Sequence, residues 1–254
     1  MLLNYQFHQP KHDQQKIPLV LIHGLFGSLS NLGAIARALY EKYPVIQLDV
    51  RNHGQSPHAD EMNYDVMAQD ILETLDHLNI QQFSVIGHSM GGKISMKLTE
   101  LAADRLQQLV ILDIAPYAYQ ENHHDQIFKA LFAVKDANIS SRKEATEIMH
   151  NYLTEEMVIQ FLLKSFSKGQ WLFNVDALFA HYHDILGWVD IKQWEKPTLF
   201  IRGAKSPYIG KDIYLNAIHS QFEKADIQTV DNAGHWLHAE QPDQVLNHIF
   251  KYLK

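Results

Sequence analysis

Short apolar runs alternate with amphipathic stretches along most of the chain. Compact runs rich in Val, Ile, Leu and Phe predict buried strands at 17–22, 45–50, 83–87, 109–114, 198–201 and 227–230, with a short edge strand within 2–7. Apolar residues at helical spacing predict helices at 32–43, 64–78, 93–100, 211–222 and 241–253. Because alternating strands and helices are joined by right-handed crossovers, the pattern predicts an α/β fold, a mostly parallel sheet with helices on both faces.

One segment, from Tyr117 to about Trp194, breaks this alternation. It contains no strand-like run, and its helix-favouring stretches lie at 127–134, 142–152 and 155–164, interspersed with Trp and Phe. We therefore predict a helical cap inserted over the ends of the strands. The predicted division is an α/β core of residues 1–116 and 195–254 and a helical cap of residues 117–194.

The composition excludes several classes of protein. The chain has 254 residues, of which 46% are hydrophobic, a net charge of −7 and no basic run. Since nucleic-acid affinity rests on clustered cations, no nucleic-acid partner is expected. The absence of Cys excludes disulfides, a thiol nucleophile and thiolate metal ligands. The 16 histidines do not follow a metal-binding spacing such as H-E-x-x-H, so no metal site is expected.

Two observations bear on location. No uninterrupted apolar stretch approaches the roughly 20 residues that a membrane-spanning helix needs. The first residues, Met1–Gln6, lack the basic segment and apolar core of a signal peptide. We expect a cytoplasmic protein without a membrane span, and the sequence leaves its oligomeric state open.

The segment Gly87–Gly91 has the form G-x-S-x-G and lies between an apolar run and a helix-like stretch. In this strand–turn–helix setting the central serine, Ser89, is held in a strained, exposed turn at the end of a strand. The five-residue pattern alone is frequent by chance, whereas its setting here makes it a specific sign of a nucleophilic serine.

A serine nucleophile needs a base, and the base needs an orienting acid. His235 is the candidate base, because it follows the last predicted strand and such triads run Ser, acid, His along the chain. The usual acid position, after strand 198–201, holds Ser206, and the next carboxylate is Asp212. Asp113 is the favoured acid, because a charge in its apolar run is costly unless it is paired. Asp212 as the acid, and a capping role for Asp113, stay open.

A tetrahedral intermediate also needs donors for its oxygen. The backbone N–H of Met90, at the start of the helix after the nucleophile, is one candidate. The second is the N–H of Leu25, in the turn His23–Gly27, where glycines on both sides leave room for the backbone to point inward. We expect His23 to fix this turn rather than to transfer protons.

Several segments together resemble the α/β-hydrolase superfamily: His23–Gly27, Asp49 with Arg51–Ser56, Gly87–Gly92 and Gly234-His235. Residues 112–116 and 165–174 are similar to the bacterial YbfF-type esterases in particular, and the resemblance covers essentially the whole chain. It implies a small helical cap and carboxylesterase activity on acyl esters, extending to acyl-CoA thioesters. It also implies a triad acid after the strand that follows the nucleophile helix, which agrees with Asp113. The Arg51–Ser56 loop is expected to be structural.

These residues predict a serine carboxylesterase in which Ser89 attacks, His235 is the base and Asp113 orients the base. A small acyl ester or thioester is the expected partner, and no cofactor is needed. The candidate substrate-binding residues are Phe26, His88 and Trp236. Two alternatives remain, a hydrolase of carbon–carbon bonds in diketones with the same triad and a non-catalytic ligand-binding protein on this fold. A dehalogenase or epoxide hydrolase is disfavoured, because those relatives need a carboxylate where Ser89 stands.

Overall fold

The computed structural model of the chain describes residues 1–10, 16–120 and 124–253. Its strands are β1 (Tyr5–His8), β2 (Leu19–Ile22), β3 (Val45–Leu48), β4 (Phe83–His88), β5 (Leu106–Leu112), β6 (Phe166–Ser167), β7 (Gln170–Trp171), β8 (Thr198–Gly203) and β9 (Ala225–Val230). Its helices are α1 (Gly33–Leu39), α2 (Tyr64–His77), α3 (Met90–Leu101), α4 (Asp125–Asp136), α5 (Arg142–Met149), α6 (Glu156–Leu163), α7 (Val175–Ala180), α8 (Tyr182–Leu186), α9 (Asp212–Gln221), α10 (Leu237–Glu240) and α11 (Pro242–Tyr252). Within these residues, no helix combines the length and apolarity that crossing a membrane requires.

Within the part of the chain that the structure describes, the main sheet has seven strands in the order β1-β3-β2-β4-β5-β8-β9. The edge strand β1 runs antiparallel to β3, and every other neighbouring pair is parallel. Parallel neighbours must be connected by crossovers, and helices supply them between successive central strands. The predicted α/β fold with a mostly parallel sheet is confirmed.

The sheet is covered by hydrophobic cores on both of its faces. Successive side chains of a strand point to opposite faces, so Val20 and Ile22 join a core with α2 and α3, whereas Leu19 and Leu21 join a core with α1 and α11. This explains why the central strands are continuous apolar runs, since a strand buried on both faces has no polar side.

The helix predicted over 32–43 is shorter than expected. α1 ends at Leu39, five positions before Pro44, because the chain turns at that point. The N–H groups of Lys42 and Tyr43 donate to the Leu39 carbonyl at 3.0 and 2.9 Å. The second bond has the i→i−4 spacing of an α-helix and the first has i→i−3 spacing, so an irregular turn carries the hydrogen bonding from the end of α1 to Tyr43.

Helices α4 to α8 all lie between β5 and β8, in the segment predicted as a helical cap. The boundaries 117 and 194 stay predictions. The expectation that this segment contains no strand is wrong, because β6 and β7 form an antiparallel hairpin. Its turn residues Lys168 and Gly169 have φ of 51° and 80°, as in a type I′ turn. Strands of two residues are too short to show alternation, and Gly169 was the signal for the turn.

Candidate active site

Ser89 occupies the tight turn between β4 and α3, with φ of 54° and ψ of −121°. A positive φ is disfavoured for a residue with a Cβ, so the surrounding structure must hold this turn. A Cβ on Gly87 would lie 2.2 Å from Ser95 Oγ, and one on Gly91 would lie 2.3 Å from the Ile22 carbonyl oxygen. The turn therefore requires glycine at both positions, and it presents the serine hydroxyl at the carboxyl end of the sheet.

Three residues from distant parts of the chain meet at this turn. His235, in the loop between β9 and α10, has its Nε2 2.9 Å from Ser89 Oγ and its Nδ1 2.7 Å from Asp113 Oδ2. Both distances are within hydrogen-bond range. The arrangement makes Nδ1 the donor to the carboxylate and leaves Nε2 as an acceptor for the serine proton.

Asp113 follows β5 and is fully buried, with φ of 55°. Its Oδ1 accepts a hydrogen bond from the Gly203 N–H at 3.0 Å, and its Oδ2 accepts one from the Ser206 hydroxyl as well as from His235. Three donors thus compensate a buried charge that would otherwise be very costly. Asp212 is exposed at the start of α9, and His235 contacts Asp113 instead. Ser206, at the usual acid position, supports the carboxylate of β5.

The turn after β2 faces the same site. The Gly27 N–H donates to the Gly24 carbonyl at 3.1 Å, which makes Leu25 and Phe26 the central residues of a β-turn. The cavity beside Ser89 is lined by Leu25 and by Met90. Neither backbone N–H of these two residues has an acceptor within the described residues, so both remain available to a substrate oxygen.

Buried histidines hold the backbone around the site. His23 Nε2 accepts a hydrogen bond from the Val50 N–H at 3.0 Å and its Nδ1 donates to the Gly24 carbonyl at 2.7 Å, while burial lowers its pKa. This is the fixing role expected for His23. His88 donates from Nε2 to the His235 carbonyl at 2.8 Å, so it holds the backbone of His235. Among the described residues, no three His, Cys, Asp or Glu side chains cluster closely enough to hold a metal ion.

The cavity at Ser89 lies between the sheet and the inserted helices. The predicted residues Phe26, His88 and Trp236 all line it. Phe26 and His88 are almost fully buried, whereas Trp236 is half-buried and packs on Phe161 with ring centroids 5.5 Å apart. Apolar side chains from the insertion complete the lining, among them Ile127, Val158, Leu162 and Ile185.

Lys93 is a residue of this cavity that the sequence reasoning missed. It is 1% exposed, and its Nζ donates to the carbonyls of Leu186 and Gly187, each at 2.9 Å. Burial lowers the pKa of Lys93 to about 7, whereas the two carbonyls and the nearby rings of Tyr64 and Tyr119 favour its charged form. The feature of the sequence that could have identified Lys93 is its position four residues after Ser89, which places it on the same face of α3 as the nucleophile.

A second missed residue is Tyr208, whose ring stacks on that of His235. The ring centroids are 4.1 Å apart with an interplanar angle of 30°. Tyr208 comes from the loop after β8, two residues beyond Ser206, and its carbonyl accepts a hydrogen bond from the Tyr119 hydroxyl at 2.6 Å. The stacking restricts the plane of the imidazole, and no local pattern in the sequence indicated it.

Comparisons with known proteins place this chain in a family. A family model described as the alpha/beta hydrolase fold matches residues 17–136. The chain is similar to the esterase YbfF of Escherichia coli, with 48% identity over all of this chain and 99% of the relative. It is 36% identical to the sn-1-specific diacylglycerol lipase ABHD11 of Danio rerio, over 99% of this chain and 82% of the relative. The solved structure of a marine microorganism esterase superposes with a TM-score of 0.92 at 32% identity, over 99% of each chain.

Proposed function

The chain belongs to the α/β-hydrolase family, as a bacterial YbfF-type member and a hydrolase, and from this premise we propose that it is a serine carboxylesterase acting on acyl esters. The observation that supports the proposal most strongly is the continuous contact from Ser89 Oγ through His235 to Asp113, at 2.9 and 2.7 Å. An uninterrupted chain of nucleophile, base and acid is the arrangement that activates a serine hydroxyl.

The proposed reaction has two steps. Ser89 Oγ bonds to the ester carbonyl carbon while its proton passes to His235 Nε2, and the carbonyl electrons move onto the oxygen. The carbon–oxygen bond to the alcohol then breaks, and the alcohol takes the proton from Nε2. Water next gives a proton to Nε2 while its oxygen bonds to the acyl carbon. The bond from that carbon to Ser89 Oγ then breaks, Oγ takes the proton from Nε2, and the acid is released. Asp113 holds the imidazole in the required tautomer and stabilises its charged form throughout.

The backbone N–H groups of Leu25 and Met90 are the proposed oxyanion donors. Both lie at the cavity beside Ser89, and Met90 is the first residue of α3, where helix N–H groups lack partners within the helix. Donors that are fixed before the reaction stabilise the developing negative charge without reorganising. The apolar lining from the insertion would hold the acyl chain, with Phe26, His88 and Trp236 around the reacting carbon.

Hydrolysis of p-nitrophenyl esters of increasing acyl length tests this function. We expect turnover by the wild type and a loss of roughly 10⁴-fold or more in kcat for Ser89→Ala. Ser220→Ala, at an exposed serine, is the matched control and should keep wild-type activity. A wild type that cleaves a vinylogous diketone but no ester would favour the carbon–carbon hydrolase instead.

Three further expectations belong with this proposal. Acyl-CoA thioesters are a finer substrate class that the family resemblance implies, and they would use the same Ser89 chemistry. The cytoplasmic location and the absence of a nucleic-acid partner stay predictions from the sequence.

A further inference from the structure

The turn that presents Leu25 has an unusual residue at its second central position. Phe26 has φ of 62°, and a positive φ at that position alone is typical of a type II turn, where glycine or asparagine is usual. A phenylalanine there favours rotation of the Leu25–Phe26 peptide to the opposite orientation, which restores a negative φ. Something outside the turn must therefore hold this peptide in place.

Two side chains bind the backbone of Phe26 from different parts of the chain. Its N–H donates to His53 Nε2 at 3.2 Å, and its carbonyl accepts a hydrogen bond from Ser165 Oγ, also at 3.2 Å. His53 lies in the loop after β3, and Ser165 lies in the insertion just before β6. Both are buried, at 0% and 3% exposure, so water does not compete for these contacts.

The tautomer of the His53 ring is fixed by the contact that its Nδ1 makes. Nδ1 lies 2.9 Å from the Arg51 carbonyl, which can only accept, so Nδ1 holds the proton and Nε2 holds a lone pair. Burial lowers the pKa of His53 to about 3, so the ring stays neutral over the working range of most enzymes. A rotated peptide would turn the Leu25 carbonyl toward this lone pair, and the two acceptors would repel each other.

The inserted segment also contacts the turn after β2 and the loop after β3 through residues beyond Ser165. The Asn174 N–H donates to the Asn52 carbonyl at 2.9 Å, next to His53. The Phe173 ring packs against Phe26, with centroids 5.4 Å apart, and against His53, with centroids 6.4 Å apart. Residues 165–174 therefore hold both the turn after β2 and the loop that contributes His53.

We propose that His53 and Ser165 are positioning residues for oxyanion stabilisation, because together they anchor the Phe26 backbone and so hold in place the turn whose preceding peptide, between Gly24 and Leu25, carries the Leu25 N–H. This inference rests on the proposed function. It gives the inserted segment a part in the chemical step, beyond its part in lining the cavity. The Arg51–Ser56 loop was expected to be structural. The proposal gives one of its residues, His53, a role in positioning the turn after β2.

Variants of the two residues test the proposal by separating kcat from KM. His53→Leu should lower kcat for a p-nitrophenyl ester by up to about 10²-fold, the effect of losing one oxyanion donor completely, with little change in KM. Ser165→Ala should lower kcat by about fivefold, the value of one neutral hydrogen bond. His53→Gln, which can present an oxygen acceptor, should recover part of the loss. His58→Leu and Ser167→Ala change exposed residues nearby and should behave as wild type.

A second readout reports on the oxyanion site directly. An alkyl boronic acid forms a tetrahedral adduct with the serine, and its inhibition constant should rise in His53→Leu and Ser165→Ala in parallel with the fall in kcat. A merely structural role would change the melting temperature without this parallel change. If His53→Leu does not fold, His53→Gln and Ser165→Ala decide by the same two measurements.

The outcomes separate the two proposals. A wild type without esterase activity contradicts the proposed function. An active wild type whose folded His53 and Ser165 variants keep normal kcat and normal boronate affinity overturns the positioning role alone.

Discussion

Asp113 is the residue at which burial and charge oppose each other most directly. Its carboxylate has no exposure, yet three donors from β8, the loop after β8 and the loop after β9 surround it. Removing one partner of such a group costs more than the group contributes when it is fully paired. The residue is therefore suited to hold one proton position on His235 rather than to exchange protons itself.

In Asp113→Asn an amide that can donate would face His235 Nδ1, which favours the tautomer with the proton on Nε2 and so removes the acceptor for Ser89. We expect kcat for an ester to fall by about 10⁴-fold, while the protein stays folded. Asp212→Asn, at an exposed carboxylate, is the control. Near-normal turnover by Asp113→Asn together with a loss in Asp212→Asn would reverse the assignment of the acid.

At the scale of elements, Lys93 links the nucleophile helix to the inserted helices. It extends from α3 to the carbonyls at the end of α8, where a cation is favoured by the helix dipole and by the free carbonyls. Its burial opposes the charge, so folding takes a lysine that is protonated in water into a site where the proton is held less tightly.

A prediction follows from this shift. The folded pKa of about 7 lies below the ordinary value of 10.5, so between these two pH values the unfolded state binds more protons than the folded state. The free energy of unfolding should therefore rise with pH across that window, by on the order of 1 kcal/mol per pH unit, and this contribution should be flat below pH 7. Lys93→Met removes the contribution.

Urea unfolding of the wild type and of Lys93→Met from pH 6 to pH 10 measures this contribution of Lys93 to the free energy of unfolding. The difference in stability between wild type and Lys93→Met should shift in favour of the wild type as pH rises. Lys224→Met, at an exposed lysine, is the matched control. A wild-type minus Lys93→Met difference that stays constant, or that falls with pH, would contradict the buried, weakly basic lysine.

The predictable elements were those whose signal is local. Buried strands are apolar runs, and the turn at Ser89 needs small neighbours on both sides, so both could be predicted from short stretches of sequence. The hairpin of β6 and β7 was missed because its strands are too short for periodicity. The partners of Lys93, His53 and Ser206 were missed because each contact joins residues far apart in sequence, which only the folded sheet brings together.

At the scale of the whole molecule, the net charge of −7 works against anionic substrates. Three cations that could meet an anionic head group, Lys164, Lys168 and Arg202, do not line the cavity. Lys164 and Lys168 are exposed, and Arg202 donates to the Ile209 carbonyl at 2.8 Å and to Thr229 Oγ1 at 3.2 Å. Lys93 lines the cavity but is already bound to two carbonyls, so attraction of an acyl-CoA must come from surface charges, which salt screens over about 10 Å at 0.1 M.

A further prediction uses this screening. If acyl-CoA thioesters are substrates that these surface cations attract, kcat/KM for them should fall as salt rises, whereas kcat/KM for a neutral ester of the same acyl length should not. Stopped-flow or steady-state assays between low and moderate ionic strength make the comparison. An equal response of both substrates would contradict attraction of the CoA phosphates.

In the proposed mechanism, His235 makes one hydroxyl, that of Ser89, nucleophilic. A fluorophosphonate probe followed by intact-protein and peptide mass spectrometry measures this most directly. We predict one adduct, located on Ser89, absent in Ser89→Ala and strongly slowed in His235→Ala. A wild type that forms no adduct, or a Ser89→Ala variant that is labelled as fast as the wild type, would contradict it and favour a ligand-binding protein.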